Sequence, residues 1–295
     1  MSKRIFLILV CLGLLLAGCG SSSNSSDGSG GSGTYIQNKG SDTMVNLALA
    51  WAEAYQKLHP EILISVTGGG TGTGISALMN NTVDLANASR IISEEEIGQA
   101  QSLGFEPKQY IVAQDAIAVI VNRENPVDAL TMEQISAIYR GEYTNWSELG
   151  GEDRPIVCLS RETNSGTHVY FLETVVRLGN KEDKSIFSPK TLLLPSSEGI
   201  IAEVRDNPNA IGYDGLGYVT DEVKTLAIAP APGEEPILPS IETVNNAAYP
   251  ISRELFMYTH GEPNDTIKAY LEWILSPEAQ EIVRSLGFVP VKVNQ

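Results

Sequence analysis

Apolar positions along the chain recur with two spacings, and stretches of each alternate. Met44, Leu47, Trp51, Tyr55 and Leu58 fall three or four residues apart, which predicts a helix over Met44–Leu58 with one stripe facing a core. The run Ile62-Leu63-Ile64-Ser65-Val66 predicts a strand, followed by glycines and a helix through Ile75 to Met79. Ile117–Val121 predicts another buried strand. Thr131 and Gln134 have the spacing of a capping box ahead of the apolar face Ile135, Ile138 and Tyr139. Ser276-Pro277-Glu278 predicts a helix start with a cap, a proline in the first turn and an acid at the positive end of the dipole. This alternation from Tyr35 onward predicts an α/β fold. No internal repeat interrupts it.

The first 33 residues follow a different pattern. Lys3 and Arg4 precede an apolar run from Ile5 to Leu16, too short to span a bilayer comfortably and matched to the core of a secretory signal. The run ends in Leu16-Ala17-Gly18-Cys19, which resembles the lipobox of bacterial lipoproteins. That predicts a signal peptide over 1–18, cleavage before Cys19 and diacylation of Cys19, two chains being what stable anchoring requires. Residues 20–33 are Gly or Ser except Asn24 and Asp27, so 19–33 is expected to be a lipidated cysteine with a flexible tether of about 20 Å reach. Removal of Cys11 and lipidation of Cys19 leave Cys158 alone, so the mature chain has no internal disulfide and no CxxC pair for zinc or redox work. Its apolar setting, Pro155 to Leu159, predicts a small buried hydrophobe.

At 295 residues and 42% hydrophobic, the chain can form one large domain or two lobes. Twenty basic against 36 acidic residues leave a net charge of −16, which excludes nucleic acid as a partner. A small anion is not excluded, because donors in a desolvated cleft act locally while distant charges are screened.

Three segments share one design, a strand, a short loop of Gly, Ser and Thr, then a helix: 40–43 (GSDT), 68–74 (GGGTGTG) and 161–167 (RETNSGT). Helix starts expose unpaired backbone N–H groups at the positive end of the dipole, glycines allow close approach, and hydroxyls add donors. Plain capping explains any one of them. Three together, with Arg161 four residues before Ser165, point to a tetrahedral oxyanion. The glycine loop lacks the GK[ST] ending of a P-loop and fits the dinucleotide form only loosely, through 72–77 (GTGISA). No GxSxG elbow or HExxH helix occurs, and His59, His168 and His260 show no ligand spacing. No catalytic residue, metal or cofactor is therefore expected. His168 is left either lining a cleft or facing solvent, and Glu94-Glu95-Glu96 after Ser93 reads as a capped, solvated helix start.

These motifs, in order, resemble those of the phosphate-binding proteins of bacterial phosphate ABC importers, two-lobed members of the periplasmic binding protein superfamily. The resemblance runs from about Ile36 to the C-terminus. It rests also on 84–90 (DLANASR), Asn145-Trp146, 210–213 (AIGY), 249–253 (YPISR) and 276–280 (SPEAQ). It implies a two-lobed α/β fold, mixed sheets flanked by helices and the ligand between lobes, with lobe one spanning 34–114 plus 248–295 and lobe two 115–247. It places Thr43, the N–H of Met44, Thr71, Ser89, Arg161, Ser165, the N–H of Gly166 and Thr167 at the phosphate. Some members carry an aspartate after the serine corresponding to Ser89, where it accepts the phosphate proton. Here Arg90 stands in its place and is expected to add a charge-assisted contact, which leaves Asp42 and Asp115 as candidate acceptors. His168 likewise stands where arginine is frequent.

The function implied is a monomeric, extracytoplasmic lipoprotein, anchored to the cell membrane, that delivers inorganic phosphate to an ABC permease and its ATPase without catalysis. The alternatives are a binding protein for sulfate, molybdate or vanadate, or a secreted phosphate-handling enzyme or adhesion protein on the same scaffold.

Overall fold

The computed structural model describes residues 34–291. The signal peptide, Cys19 and the tether lie outside that range. Strand β1 (Thr34–Gly40) leads through a 3-10 turn, Asp42–Met44, into α1 (Val45–Leu58), then β2 (Ile62–Thr67), α2 (Thr71–Met79), β3 (Leu85–Ala88) and α3 (Glu94–Ser102). The long β4 (Lys108–Asn122) is followed by β5 (Ala129–Thr131), α4 (Met132–Arg140), β6 (Val157–Arg161) and α5 (Gly166–Phe171), which runs on as a π turn, Leu172–Val176. Next come β7 (Leu192–Leu194), α6 (Ser197–Asp206), β8 (Ala210–Gly215), β9 (Val223–Thr225), β10 (Ala227–Ala229) and α7 (Ile241–Asn245). The chain closes with β11 (Ser252–Thr259), α8 (Asp265–Ile274) and α9 (Pro277–Ser285).

Local chemistry accounts for the helix boundaries. Helix α4 begins with the expected reciprocal box between Thr131 and Gln134 and stops at Gly141, whose left-handed φ of 81° ends the turn. The predicted stripe of α1 buries Met44, Leu47, Trp51 and Tyr55. Leu58 does not join it and is 53% exposed, because the last residue of the helix overhangs the packed face. Helix α9 starts with the Ser276 cap and Pro277 as expected.

The strands order as β2-β1-β3-β11-β4-β8-β6-β7, with β9 also on β4 and β5 paired separately with β10. β1 runs parallel to β2 and β3, and β11 is antiparallel to β3 and β4. Beyond Ala116, β4 exchanges β11 for β8, antiparallel, and β8 continues parallel to β6. One strand thus serves two sheets in a two-lobed mixed α/β fold. Its crossing is tied to the second one, since the Ile117 N–H donates to the Ile251 carbonyl at 2.8 Å. Apolar cores flank the sheets, one around Trp51, Met257 and Tyr270, another around Tyr139, Phe171 and Tyr213. The second takes Cys158 at its edge, half-buried, with its thiol pushed up to about 12 by burial. Among the described residues no helix is long and apolar enough to cross a membrane.

Candidate anion-binding site

The three segments singled out from sequence meet between the sheets. β1 delivers Ser41 and the turn carrying Thr43. The second loop turns through Gly69 and Gly70, whose φ values of 113° and 90° only glycine adopts without strain, and releases the chain into α2 at Thr71. β6 ends at Arg161, and Ser165 caps α5 by accepting from the Thr167 N–H at 3.2 Å.

Thr43 Oγ1 and Thr167 Oγ1, 124 positions apart in sequence, lie 2.8 Å from one another. Thr71 Oγ1 is 3.3 Å from Ser89 Oγ and accepts from the Ser89 N–H at 3.1 Å, while Ser41 Oγ donates to Ser89 Oγ at 2.9 Å. Gly166 closes over this pair so tightly that an added Cβ would sit 2.4 Å from Thr71 Oγ1 and 2.6 Å from Ser89 Oγ. Ser41, Thr43, Thr71, Ser89, Arg161, Ser165 and Thr167 are all buried. Outside this cluster, Asn164 spans the same gap, its side-chain amide donating to the Gly69 carbonyl (2.8 Å) and its own carbonyl accepting from the Gly72 N–H (3.0 Å).

Arg161, at the end of β6, has its side chain 1% exposed. Nη2 donates to Asp42 Oδ2 at 2.9 Å and to the Pro195 carbonyl at 2.8 Å. Nη1 donates to Ser197 Oγ at 2.9 Å and lies 3.5 Å from Asp214 Oδ2. Burial holds the Asp214 carboxyl above the usual carboxylate range, opposed by Arg161. Asp42 spends both oxygens, Oδ2 on Arg161 and Oδ1 on the Gly69 N–H at 2.9 Å.

A second buried cation, Arg253 of β11, was not foreseen as a site residue. It donates to the Ser89 carbonyl (2.8 Å), Thr167 Oγ1 (2.9 Å) and Asp115 Oδ2 (3.0 Å). Asp115 itself is fully buried, and burial raises its carboxyl from 3.8 to about 6 even against Arg253. Its Oδ1 has no hydrogen-bond partner.

Arg90 is a correction. Expected to contact the anion, its guanidinium instead forms a fork with Glu96, both distances 2.7 Å. That fork and the Ser93 N–H outweigh burial and keep Glu96 below the usual carboxylate range. The charge is spent on the first turn of α3, so Arg90 lines a neighbouring cavity with Tyr170, Arg177 and Phe256 rather than the hydroxyl cluster. The Met44 N–H is also engaged, donating to the Ser41 carbonyl at 3.1 Å within its turn. His168 neither faces solvent nor reaches the cluster. It is buried against Phe187 with Nδ1 3.0 Å from Ser160 Oγ, and burial depresses its pKa. Among the described residues no group of three or more His, Cys, Asp or Glu is placed to hold a metal. The arrangement gathers buried hydroxyl and guanidinium donors that suit a compact acceptor.

Residues 25–278 match the PBP superfamily domain. The chain belongs to the PBP superfamily. Within it, the chain is 33% identical over 274 residues to the phosphate-binding protein PstS of Pseudomonas aeruginosa, covering 87% of this chain and 83% of that one. It is 29% identical to PstS of Bacillus subtilis over 97% of this chain and 93% of the other. Among solved structures, a putative phosphate ABC transporter substrate-binding protein of Clostridium perfringens with bound phosphate superposes with a TM-score of 0.78. That match has 34% identity and covers 88% of this chain and all of the other.

Proposed function

We propose that this PBP superfamily member captures inorganic phosphate between its lobes and delivers it to an ABC permease. The carrying observation is the convergence of three helix starts, from segments far apart in sequence, on one buried hydroxyl cluster, with Arg161 tied to Asp42 next to Thr43. Helix starts supply oriented N–H groups and positive dipole ends, and hydroxyls together with guanidinium groups supply donors to tetrahedral oxygens. The names of the PstS relatives and the phosphate bound in the Clostridium perfringens structure support the same ligand.

In this reading Thr43, Thr71, Ser89, Ser165, Gly166 and Thr167 surround the anion and Arg161 supplies charge. The lobes comprise about 34–114 with 248–295, and 115–247, and the hinge lies at the Ala116–Ile117 and Ile251–Ser252 crossings, where β4 and β11 leave one another. Asp115 is favoured over Asp42 as acceptor of the phosphate proton, because both Asp42 oxygens already accept a hydrogen bond while Asp115 Oδ1 accepts none. Donors held equally to a ground-state anion give binding without rate acceleration, so no enzyme activity is assigned. Lipidation at Cys19, a membrane-tethered location and a monomeric state complete the proposal. Calorimetric titration of phosphate, sulfate, molybdate and vanadate into the same protein tests it. Saturable binding with phosphate preferred is expected, and a preference for another oxyanion, or no binding of any, rejects it.

A further inference from the structure

We propose that Arg253 is a positioning residue of the anion site, orienting the Thr167 hydroxyl toward the ligand and linking it to the hinge. This rests on the reading of the hydroxyl cluster as an oxyanion site.

A hydroxyl has one proton to give and two lone pairs to offer, and it rotates to suit its surroundings. Unrestrained, the Thr167 hydroxyl presents a lone pair to an anion as readily as a proton. Arg253 removes that choice. Nη2 donates to Thr167 Oγ1 at 2.9 Å, so the oxygen faces a cation and its own proton must point elsewhere. In this structure it has Thr43 Oγ1 at 2.8 Å, and Arg253 Nη2 lies 3.5 Å from that same oxygen. With an anion in place, both threonines are held as donors. Arg253 Nη1 meanwhile donates at 2.8 Å to the carbonyl of Ser89, whose N–H donates to Thr71 Oγ1 at 3.1 Å and turns that hydroxyl into a donor by the same logic.

One planar fork therefore touches two of the three segments directly, at Thr43 and Thr167, and reaches the third through Ser89. It is also held stiffly: its side chain is 3% exposed, it lies over the Tyr170 ring at 5.4 Å, and it pairs with Asp115 at 3.0 Å. Tyr170 is itself tied by its hydroxyl to the Ser252 carbonyl at 2.6 Å, one residue before Arg253 and at the crossing between sheets. Only when the lobes are together can the fork span Ser89 on one side and Thr167 on the other, so it couples closure to donor orientation. A lysine keeps the charge beside Asp115 but, as a single ammonium, cannot hold this divided geometry.

The test is a double-mutant cycle on phosphate affinity by calorimetry, using the wild-type chain, Arg253→Lys, Thr167→Val and the double variant. Arg253→Lys is chosen because truncation to alanine would strand the buried Asp115 charge. Thermal melts of each variant accompany the titrations. Arg253→Lys is expected to weaken phosphate about tenfold in the wild-type background and less than about threefold when Thr167→Val is already present, since its effect runs through that hydroxyl. Equal losses in both backgrounds, or an Arg253→Lys affinity within about threefold of wild type, overturn the proposal. Phosphate binding by the wild-type chain is read in the same experiment. Its absence would remove the oxyanion site itself, an outcome distinct from failure of the cycle.

Discussion

Replacing Gly166 with alanine is expected to block closure around the anion while leaving the fold intact. The added Cβ would lie 2.4 Å from Thr71 Oγ1 and 2.6 Å from Ser89 Oγ, about 1 Å inside ordinary contact. Neither neighbour retreats cheaply: Thr71 Oγ1 accepts from the Ser89 N–H, and Ser89 Oγ accepts from Ser41 Oγ. Relief requires either holding the lobes apart or turning away two hydroxyls meant for the ligand. Overpacking a close-fitted interior typically costs about 1–3 kcal/mol, which corresponds to roughly a 5- to 150-fold weakening of phosphate. In the proposed division of the chain both facing hydroxyls belong to the other lobe, so the clash is expected to arise on closure. Gly166 is not among the glycines with left-handed φ, and alanine is the better helix former at the start of α5. Thermal stability without phosphate should therefore hold or rise slightly while affinity falls. Calorimetry and a thermal melt on the same sample separate the two. An alanine variant that binds phosphate within about twofold of wild type would show that Gly166 does not close on Thr71 and Ser89, and the reasoning fails.

Arg161→Ala should weaken phosphate at least tenfold, by about 2–5 kcal/mol if the loss resembles other broken buried charge pairs; an unchanged dissociation constant with a native circular dichroism spectrum removes Arg161 from the site. Asp115, raised by burial from 3.8 to about 6, binds its proton more tightly folded than unfolded. Its contribution to stability is thus complete below about pH 4 and lost as pH rises through about 6, about 3 kcal/mol in all. Asp115→Asn should flatten that decline in denaturant titrations and narrow the preference for phosphate over sulfate, so parallel pH curves with an unchanged anion ratio count against this role. Cys19→Ser should be misprocessed or released from membranes on detergent partitioning; a variant that partitions and is processed like wild type ends the lipoprotein reading.

The parts legible in sequence were those written in local chemistry. Capping boxes at Thr131, the Ser276-Pro277 start and the glycines before Thr71 act within a turn of themselves, so spacing alone revealed them. The same holds for Arg161 with Ser165 and Thr167, four and six residues on. Spacing marks Arg253 only as part of the 249–253 motif, because its partners Ser89, Asp115 and Thr167 are 164, 138 and 86 positions away. Arg90 departs from its expected contact for a related reason. It directly follows a site residue, but Glu96, on the first turn of α3, offers a fully formed carboxylate fork that the hydroxyl cluster does not. Burial was equally hidden. Nothing near Asp115 distinguishes a surface carboxylate from one sealed at a crossing between two sheets, and the exposure of Leu58 depends on where α1 stops relative to its neighbours.

The continuity of β4 has a thermodynamic consequence. Lobes joined by coil would explore many mutual orientations, and capture would have to suppress that wandering out of the binding free energy. Here 15 residues of one strand run through both sheets, and the crossing is hydrogen-bonded to the returning chain at Ile251. Bending and twisting about this spine are the soft motions left to it, so closure loses little conformational entropy. A docking partner would then meet a small set of well-defined shapes instead of a continuum.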